Sequence, residues 1–380
     1  MQRLIRLGIV ALAMALALPG AATALDCQIP EERLEAVAAS GDRFDTLRTL
    51  HVAVDGEPMV ARGFRGVSPQ AATNVKSASK TLIAAVVGAA IERDVIRDVD
   101  ERVVEALPDA LPPEPAPALE QVTLAHLLSM QAGLERTSGE YYGAWVASEN
   151  WVEAALARPM EGKPGGEMRY STGNSHLLSA ILQRRTGEST YTLANRWLGP
   201  AGVEVADWMT DPQGIAFGGN QVAMRPAALL ALGELYRRDG MTAAGERLLP
   251  EGWVAQSWRI RGRSRWTNDG YGYGWFIREF AGYPGYYGWG YGGQMLYVIP
   301  DLAMTVVMTS DADRPSGRTG YRDALHAFTG EIAERVADLP SACLARQARS
   351  GDVGIMRTTR ELPDTRVEGV GRIKPAIEVR

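Results

Sequence analysis

The sequence predicts an α/β (α+β) fold. One antiparallel sheet is built from both chain ends and flanked by helices, with a mainly helical region inserted between. Three observations carry this expectation. Runs between Thr49 and Phe64 alternate apolar and polar residues. Aromatic and β-branched runs broken by glycine and Pro-Asp fill the stretch from Gly270 to Thr309. Between these ends apolar residues recur at helical spacing, and no internal repeat is present.

Glu31–Ala39 is a short helix candidate. Thr49–Val54 and Pro58–Phe64 are strands, with Asp55-Gly56 as the tight turn of a hairpin. The run Leu82–Ile91 is apolar nearly all round, which predicts a central helix. Pro108, Pro112, Pro113, Pro115 and Pro117 make the next segment a non-helical crossing. From Val122 the spacing of Leu124, Leu127 and Leu128 predicts a helix ending near Gly133. Trp151–Ala157, His176–Arg185, Thr192–Leu198 and Arg225–Arg238 continue the helical region. Gly270–Ile277, Tyr286–Gly290, Gln294–Ile299 and Met304–Thr309 read as an antiparallel meander, and Tyr321–Val336 as a closing helix. The sheet region is therefore expected at 27–100 and 255–345, the helical region at 101–254, and a polar tail at 346–380.

Of 380 residues 46% are hydrophobic and 22% charged, enough for a large core. A net charge of -5 leaves no basic face and argues against nucleic acid as a partner. Arg3 and Arg6, the apolar run Leu7–Leu18 and the small residues Ala22-Thr23-Ala24 read as a secretory signal cut after Ala24. That run is short for a membrane span, so a periplasmic or secreted protein without a stable membrane anchor is expected. Asp26 before Cys27 does not suit a lipoprotein site. In an oxidising compartment Cys27 and Cys343 read as one disulfide tying the chain ends together; two unrelated buried thiols are the alternative.

Ser77-Ala78-Ser79-Lys80 opens the apolar helix. A serine and a lysine three apart lie one turn from each other on one face. A lysine desolvated there loses its preference for the charged form, so it can accept the serine's proton. Lysine is scarce, occurring at Lys76, Lys80, Lys163 and Lys374 alone, and two of these surround the motif. The backbone amides at a helix start also favour developing negative charge near Ser77.

A second element runs from Pro164 to Asn174: a Gly-rich lead-in, Met168-Arg169-Tyr170, then Ser171-Thr172-Gly173-Asn174 entering a helix. Tyr170, beside a cationic lysine, can serve as general base and later acid. Alternatively its hydroxyl caps a turn. The third element is Trp289-Gly290-Tyr291-Gly292-Gly293-Gln294. Gly288, Gly290 and Gly293 match a dinucleotide fingerprint in spacing, but a strand and Pro300-Asp301 follow where a helix is required. Glycines opening an edge strand instead let a ligand approach the backbone. The amide of Gly292 or Gly293, with that of Ser77, is the candidate oxyanion hole.

These residues resemble the serine β-lactamase and penicillin-binding protein superfamily, over roughly Glu31 to Ala337. The stretch Thr123–Leu134 is similar to one typical of the class C β-lactamase and esterase branch. The resemblance implies a β-lactamase-like fold, with Ser77 as acylated nucleophile, Lys80 as its proton partner and Tyr170 as the tyrosine of the second motif. Two departures bear on substrate. Thr172 stands where class C enzymes usually have asparagine, with Asn174 further on, and no lysine lies near Gly290. Losing that cation removes an anchor for a substrate carboxylate. The pattern looks more like the 6-aminohexanoate-dimer hydrolases and family esterases.

His51, His126, His176 and His326 include no partner for a nucleophile elbow, since no G-x-S-x-G occurs, and no zinc pattern is present. Tyr141, Tyr142 and Trp145 either line a substrate cleft or cover the helical region. The expected protein is an exported serine hydrolase acting on a small ester or amide through an acyl-enzyme, with no cofactor or metal. Thr172, Asn174, Trp289, Tyr291 and Tyr142 are its candidate substrate contacts. A β-lactamase or D-Ala-D-Ala carboxypeptidase, and a non-turning-over sensor of the same fold, are the alternatives.

Overall fold

The runs Gln294–Ile299 and Met304–Ser310 are buried at every position, so a sheet built from them needs a layer on each side. In the computed structural model, which describes residues 24–339 with side chains from residue 32, the chain supplies both layers. It opens with α1 (Ala24–Ala39) and the hairpin β1 (Leu47–Val54) and β2 (Glu57–Gly63). The short β3 (Thr73–Asn74) and a single 3-10 turn (Lys76–Ala78) lead into α2 (Ser79–Glu92). Short helices α3 (Val103–Ala106), α4 (Leu124–Leu128), α5 (Tyr142–Val146) and α6 (Trp151–Leu156) precede the longer α7 (Thr172–Thr186) and α8 (Thr190–Leu198). Then come β4 (Val205–Trp208), β5 (Val222–Met224), α9 (Pro226–Arg237) and α10 (Trp253–Ser257). The last part is β6 (Gly262–Arg263), β7 (Gly270–Tyr271), β8 (Phe276–Phe280), β9 (Tyr283–Gly290), β10 (Gln294–Ile299), β11 (Met304–Ser310) and α11 (Tyr321–Ala337).

Eight strands form one antiparallel sheet in the order β2-β1-β11-β10-β9-β8-β7-β6. Its centre joins the two chain ends: Val52 of β1 faces Val306 of β11, which on its other side faces Tyr297 of β10. The period of two sorts the side chains into separate cores. Met295, Tyr297, Ile299, Val306 and Met308 pack with Leu34 of α1 and Leu325, Phe328 and Ile332 of α11. Leu296, Val298 and Val307 pack with the helical part, including α2 and α9. A Cβ at Gly233 of α9 would lie 2.6 Å from Thr305 Cγ2, so glycine there sets how closely helix and sheet approach.

The hairpin, the meander and the closing helix lie where the sequence places them. Three differences have local causes. The expected strand Gly270–Ile277 breaks into β7 and β8, because Gly274 turns at φ +77° and its amide donates to Leu128 O at 3.2 Å. The helix expected up to Gly133 stops at Leu128, and Met130 takes a left-handed φ of +60°. A second sheet, β3-β5-β4, was not foreseen; strands of two to four residues carry no alternation to read. Residues 1–23 of the expected signal segment 1–24, Cys343 and the tail 346–380 lie outside the described residues, as does the Cys27 side chain, so the expected disulfide does too. No described helix is long and apolar enough to cross a membrane.

Candidate active site

Ser77 sits on the 3-10 turn before α2, two residues earlier than the α-helix itself. Lys76 takes a left-handed φ of +49°, uncommon for a side chain of that size, and directs the chain into this turn. Ser79 Oγ donates to Lys76 O at 2.6 Å and closes it. The result is a half-buried serine between buried Lys76 and Ala78. Lys80, 3% exposed, reaches back one turn: its Nζ donates to Ser77 Oγ at 3.1 Å.

Lys80 Nζ also donates to Gly219 O at 2.8 Å and Thr172 Oγ1 at 3.3 Å, and lies 4.9 Å from the centre of the Tyr170 ring. Ser77, Lys80, Tyr170 and Thr172 are thus brought together. Tyr170 stacks on Phe276 at 6.1 Å with Tyr271 at its edge. Burial, then the neighbouring Tyr170, pushes the Tyr271 hydroxyl well above the ordinary tyrosine range. Hydroxyls from one loop satisfy the opening amides of α7: Thr172 N donates to Ser138 Oγ at 2.9 Å, and Gly173 N to Thr137 Oγ1 at 2.7 Å. Ser138 Oγ and Thr172 Oγ1 are bonded at 3.0 Å, which extends the Lys80 network by one step. Asn174 is buried in the first turn of α7.

Gly219 is held by a device the sequence did not announce. His176 of α7, fully buried, pairs through Nε2 with Asp211 Oδ2 at 3.0 Å. Its Nδ1 accepts from Gly218 N at 3.4 Å, which makes Nε2 the protonated nitrogen. Asp211 Oδ1 takes the amides of Gln213 and Ile215 at 2.8 and 2.9 Å. A Cβ at Gly219, whose φ is +80°, would lie 2.7 Å from Lys80 Cγ. His51, His126 and His326 play no part here; burial lowers each of their pKa values.

Tyr142 corrects an expectation. It is 5% exposed, stacks on Phe217, and its hydroxyl accepts from Asn220 Nδ2 at 2.9 Å. It therefore supports the Gly219 loop from the core rather than lining a cleft, and Trp145 is buried beside it. Of the three aromatic residues only Tyr141 borders open space.

The third motif folds as a hairpin, so the cofactor fingerprint is excluded on geometry. Gly288 and Gly290 face α2: a Cβ at Gly288 would lie 2.7 Å from Thr81 Oγ1, and one at Gly290 would meet the Val75 carbonyl. The close approach these glycines permit is to the protein's own 75–81 segment. Strand alternation turns Trp289 to the other side of β9 from these glycines, against Ser316, Arg322 and Phe276, the ring on which Tyr170 stacks. Gly293 is corrected as well. Its amide donates to Gly290 O at 3.1 Å within the turn and is not available to an oxyanion. Gly292, at φ +84°, turns the corner against Asp311. Tyr291 is half-buried at the corner. Strand β8 pairs with β9 only as far as Tyr287, which leaves residues 288–290 beyond that pairing.

A cleft of about 650 Å³ opens outside Tyr170, walled by residues 136, 140, 141, 161, 166–170, 262, 263, 265 and 266. Among the described residues no group of three His, Cys, Asp or Glu is placed to hold a metal ion.

Known proteins share this arrangement of elements. A protein from Bacillus anthracis assigned as a 6-aminohexanoate-dimer hydrolase superposes with a TM-score of 0.64, at 20% identity, over 80% of this chain and 82% of its own. A penicillin-binding protein homologue from Caulobacter crescentus gives 0.64, at 17% identity, over 83% and 98%. A family VIII carboxylesterase gives 0.62, at 17% identity, over 82% and 98%. At such identities the likeness is one of fold. No protein with a curated description matches the sequence. The family model for Beta-lactamase matches residues 42–331, most of the chain, and the protein belongs to the β-lactamase family.

Proposed function

We propose that the protein is a serine hydrolase that cleaves an ester or amide through an acyl-enzyme on Ser77. What carries the reading is the lysine: Lys80 Nζ lies 3.1 Å from Ser77 Oγ while two further oxygens, Gly219 O and Thr172 Oγ1, fix its direction. A buried cation so placed favours the alkoxide form of the serine and, 4.9 Å from the Tyr170 ring, the phenolate form of the tyrosine.

In the proposed reaction Ser77 Oγ attacks the carbonyl carbon as its proton passes to the Lys80–Tyr170 pair. The carbonyl electron pair moves onto oxygen. Collapse of that intermediate expels the alcohol or amine, which takes the proton from Tyr170. Water then repeats the sequence on the acyl-enzyme and frees the acid. The oxyanion needs two donors. One is the Ser77 amide. For the second we propose the Tyr291 amide: Gly290 O points into the hairpin to Gly293 N, and across a trans peptide the Tyr291 N–H is directed the opposite way, toward the open end of β9. In this reading Tyr291 stands in for Gly292 or Gly293.

Esters and amides are favoured over β-lactams because the third motif, residues 288–294, contributes no lysine of its own to anchor a carboxylate. Export rests on the leader-like residues before Ala24, and amino-terminal sequencing of the mature protein tests it. The central test is a fluorophosphonate label with a panel of short aryl esters. Ser77 is expected to be labelled, and Ser77→Ala to lose both labelling and turnover. Equal ester hydrolysis by Ser77→Ala would sink the proposal, and cephalosporin turnover rivalling that of esters would move it to the β-lactamases.

A further inference from the structure

We infer that the departing half of the substrate carries an anionic group on a flat or aromatic frame, received by Trp266, Arg263 and Arg265. The inference rests on the Ser77 hydrolase reading and names its substrate class.

In that reading Tyr170 hands its proton to the leaving group, so the leaving group lies on the Tyr170 side. Tyr170 is also one wall of the cleft of about 650 Å³, and in this inference that cleft takes the leaving group. Trp266 borders it and is 57% exposed, the most exposed large apolar side chain among the described residues. A ring of that size left in water offers an apolar face to a partner. Two guanidinium groups flank it, Arg136 at 5.5 Å and Arg265 at 5.6 Å from the ring centre.

The charges of the wall do not cancel. Arg136 is paired with Glu140, and Arg169 with Glu161. Arg263 donates to the carbonyl of Asn268 at 2.9 Å, and Arg265 touches the Trp266 ring; neither forms an ion pair among the described residues. Glu167 is the remaining carboxylate of the wall. Two unpaired cations therefore face one unpaired anion, in a chain whose net charge is -5. A planar anion fits this surface: its ring lies on Trp266, and its carboxylate meets guanidinium donors that suit a two-oxygen group. The substrate class is an ester or amide whose leaving alcohol or amine bears a carboxylate. The site differs in place from the third motif, where the cation is missing.

The experiment compares phenyl acetate, 4-acetoxybenzoate and the acetate of 3-(trimethylammonio)phenol as substrates of the wild type and of the Arg263→Ala/Arg265→Ala variant. Both residues are exposed. Taking the variant-to-wild-type ratio cancels the unequal reactivity of the three esters. The ratio of kcat/KM for the carboxylate ester to that for phenyl acetate should fall about tenfold in the variant, and Arg265→Glu should move the preference toward the cationic ester. Salt should shrink the wild-type preference. A carboxylate-to-neutral ratio that changes less than twofold overturns the inference while leaving the hydrolase reading intact. A second measurement needs no turnover: 4-hydroxybenzoate is titrated into the Ser77→Ala protein by calorimetry. Saturable binding that the double variant weakens about tenfold supports the anion site even if Ser77 proves unreactive. Binding unaffected by the two arginines, or none, overturns it.

Discussion

A methyl group added at Gly219 would press on Lys80 Cγ, at 2.7 Å, in a backbone conformation that L side chains rarely adopt. Gly219→Ala is therefore expected to displace the lysine from Ser77. Misplacement of about 1 Å near reacting groups costs on the order of 10²-fold in rate. Fluorophosphonate labelling of the variant should slow by that order while its circular dichroism stays folded. Tyr170→Phe should lower kcat by about 10²- to 10⁴-fold with the fold retained, the range of a lost acid–base group. Ser77, Lys80 and Tyr170 were legible because each brings a reactive atom at a meaningful spacing. The Gly219 carbonyl was not, since every residue has one and only the fold selects it.

At the scale of elements, α7 and the loop from Asp211 to Gln221 act as one unit. His176 clamps them, its two ring nitrogens engaged by Asp211 and Gly218. His176→Leu removes the partner of a buried carboxylate, and denaturant unfolding should show a loss of about 3 kcal/mol. Because Gly219 follows directly, labelling of Ser77 should slow too, and His176→Gln, which can bond both ways, should restore part of the rate. Long elements were readable: β10 and β11 are buried at every position and rich in apolar and β-branched residues. The clamp was not readable, since His176 and Asp211 are 35 residues apart and no local pattern joins them. The breaks at Gly274 and Leu128 likewise come from each other, through the Gly274 N to Leu128 O bond.

For the whole molecule, the face of the sheet covered by α1 and α11 carries its own sensitivity to acid. His326 of α11 is 4% exposed, and its pKa is pushed down to about 2, first by burial and then by the charges of Arg278 and Arg322. The unfolded chain takes up this proton near the ordinary value of 6.5, well before the native protein does. Stability from this group is thus complete above about pH 6.5 and is lost as pH falls toward 2. Between about pH 7 and pH 5 the loss is about 2 kcal/mol. Urea midpoints measured at both values should fall further for wild type than for His326→Gln; equal slopes would refute the assignment. The plan at this scale, strands at both ends and helices between, was legible because the pattern changes along the chain, from alternation to helical spacing and then to aromatic and β-branched runs.

The junction of β1 with β11 also sets a clock. Thr49 and Thr309, whose hydroxyls meet at 2.6 Å, are separated by 260 residues. At about 5 to 20 residues per second of synthesis, the first hairpin waits roughly 10 to 50 s for its partner strand. Every proposed reacting side chain is made long before the sheet that gathers them can close. A chain stopped before Met304 would contain Ser77, Lys80, Tyr170 and Gly219, yet it should neither label nor stay in solution. For this protein, the interval between synthesis and function is governed by a contact between its two ends.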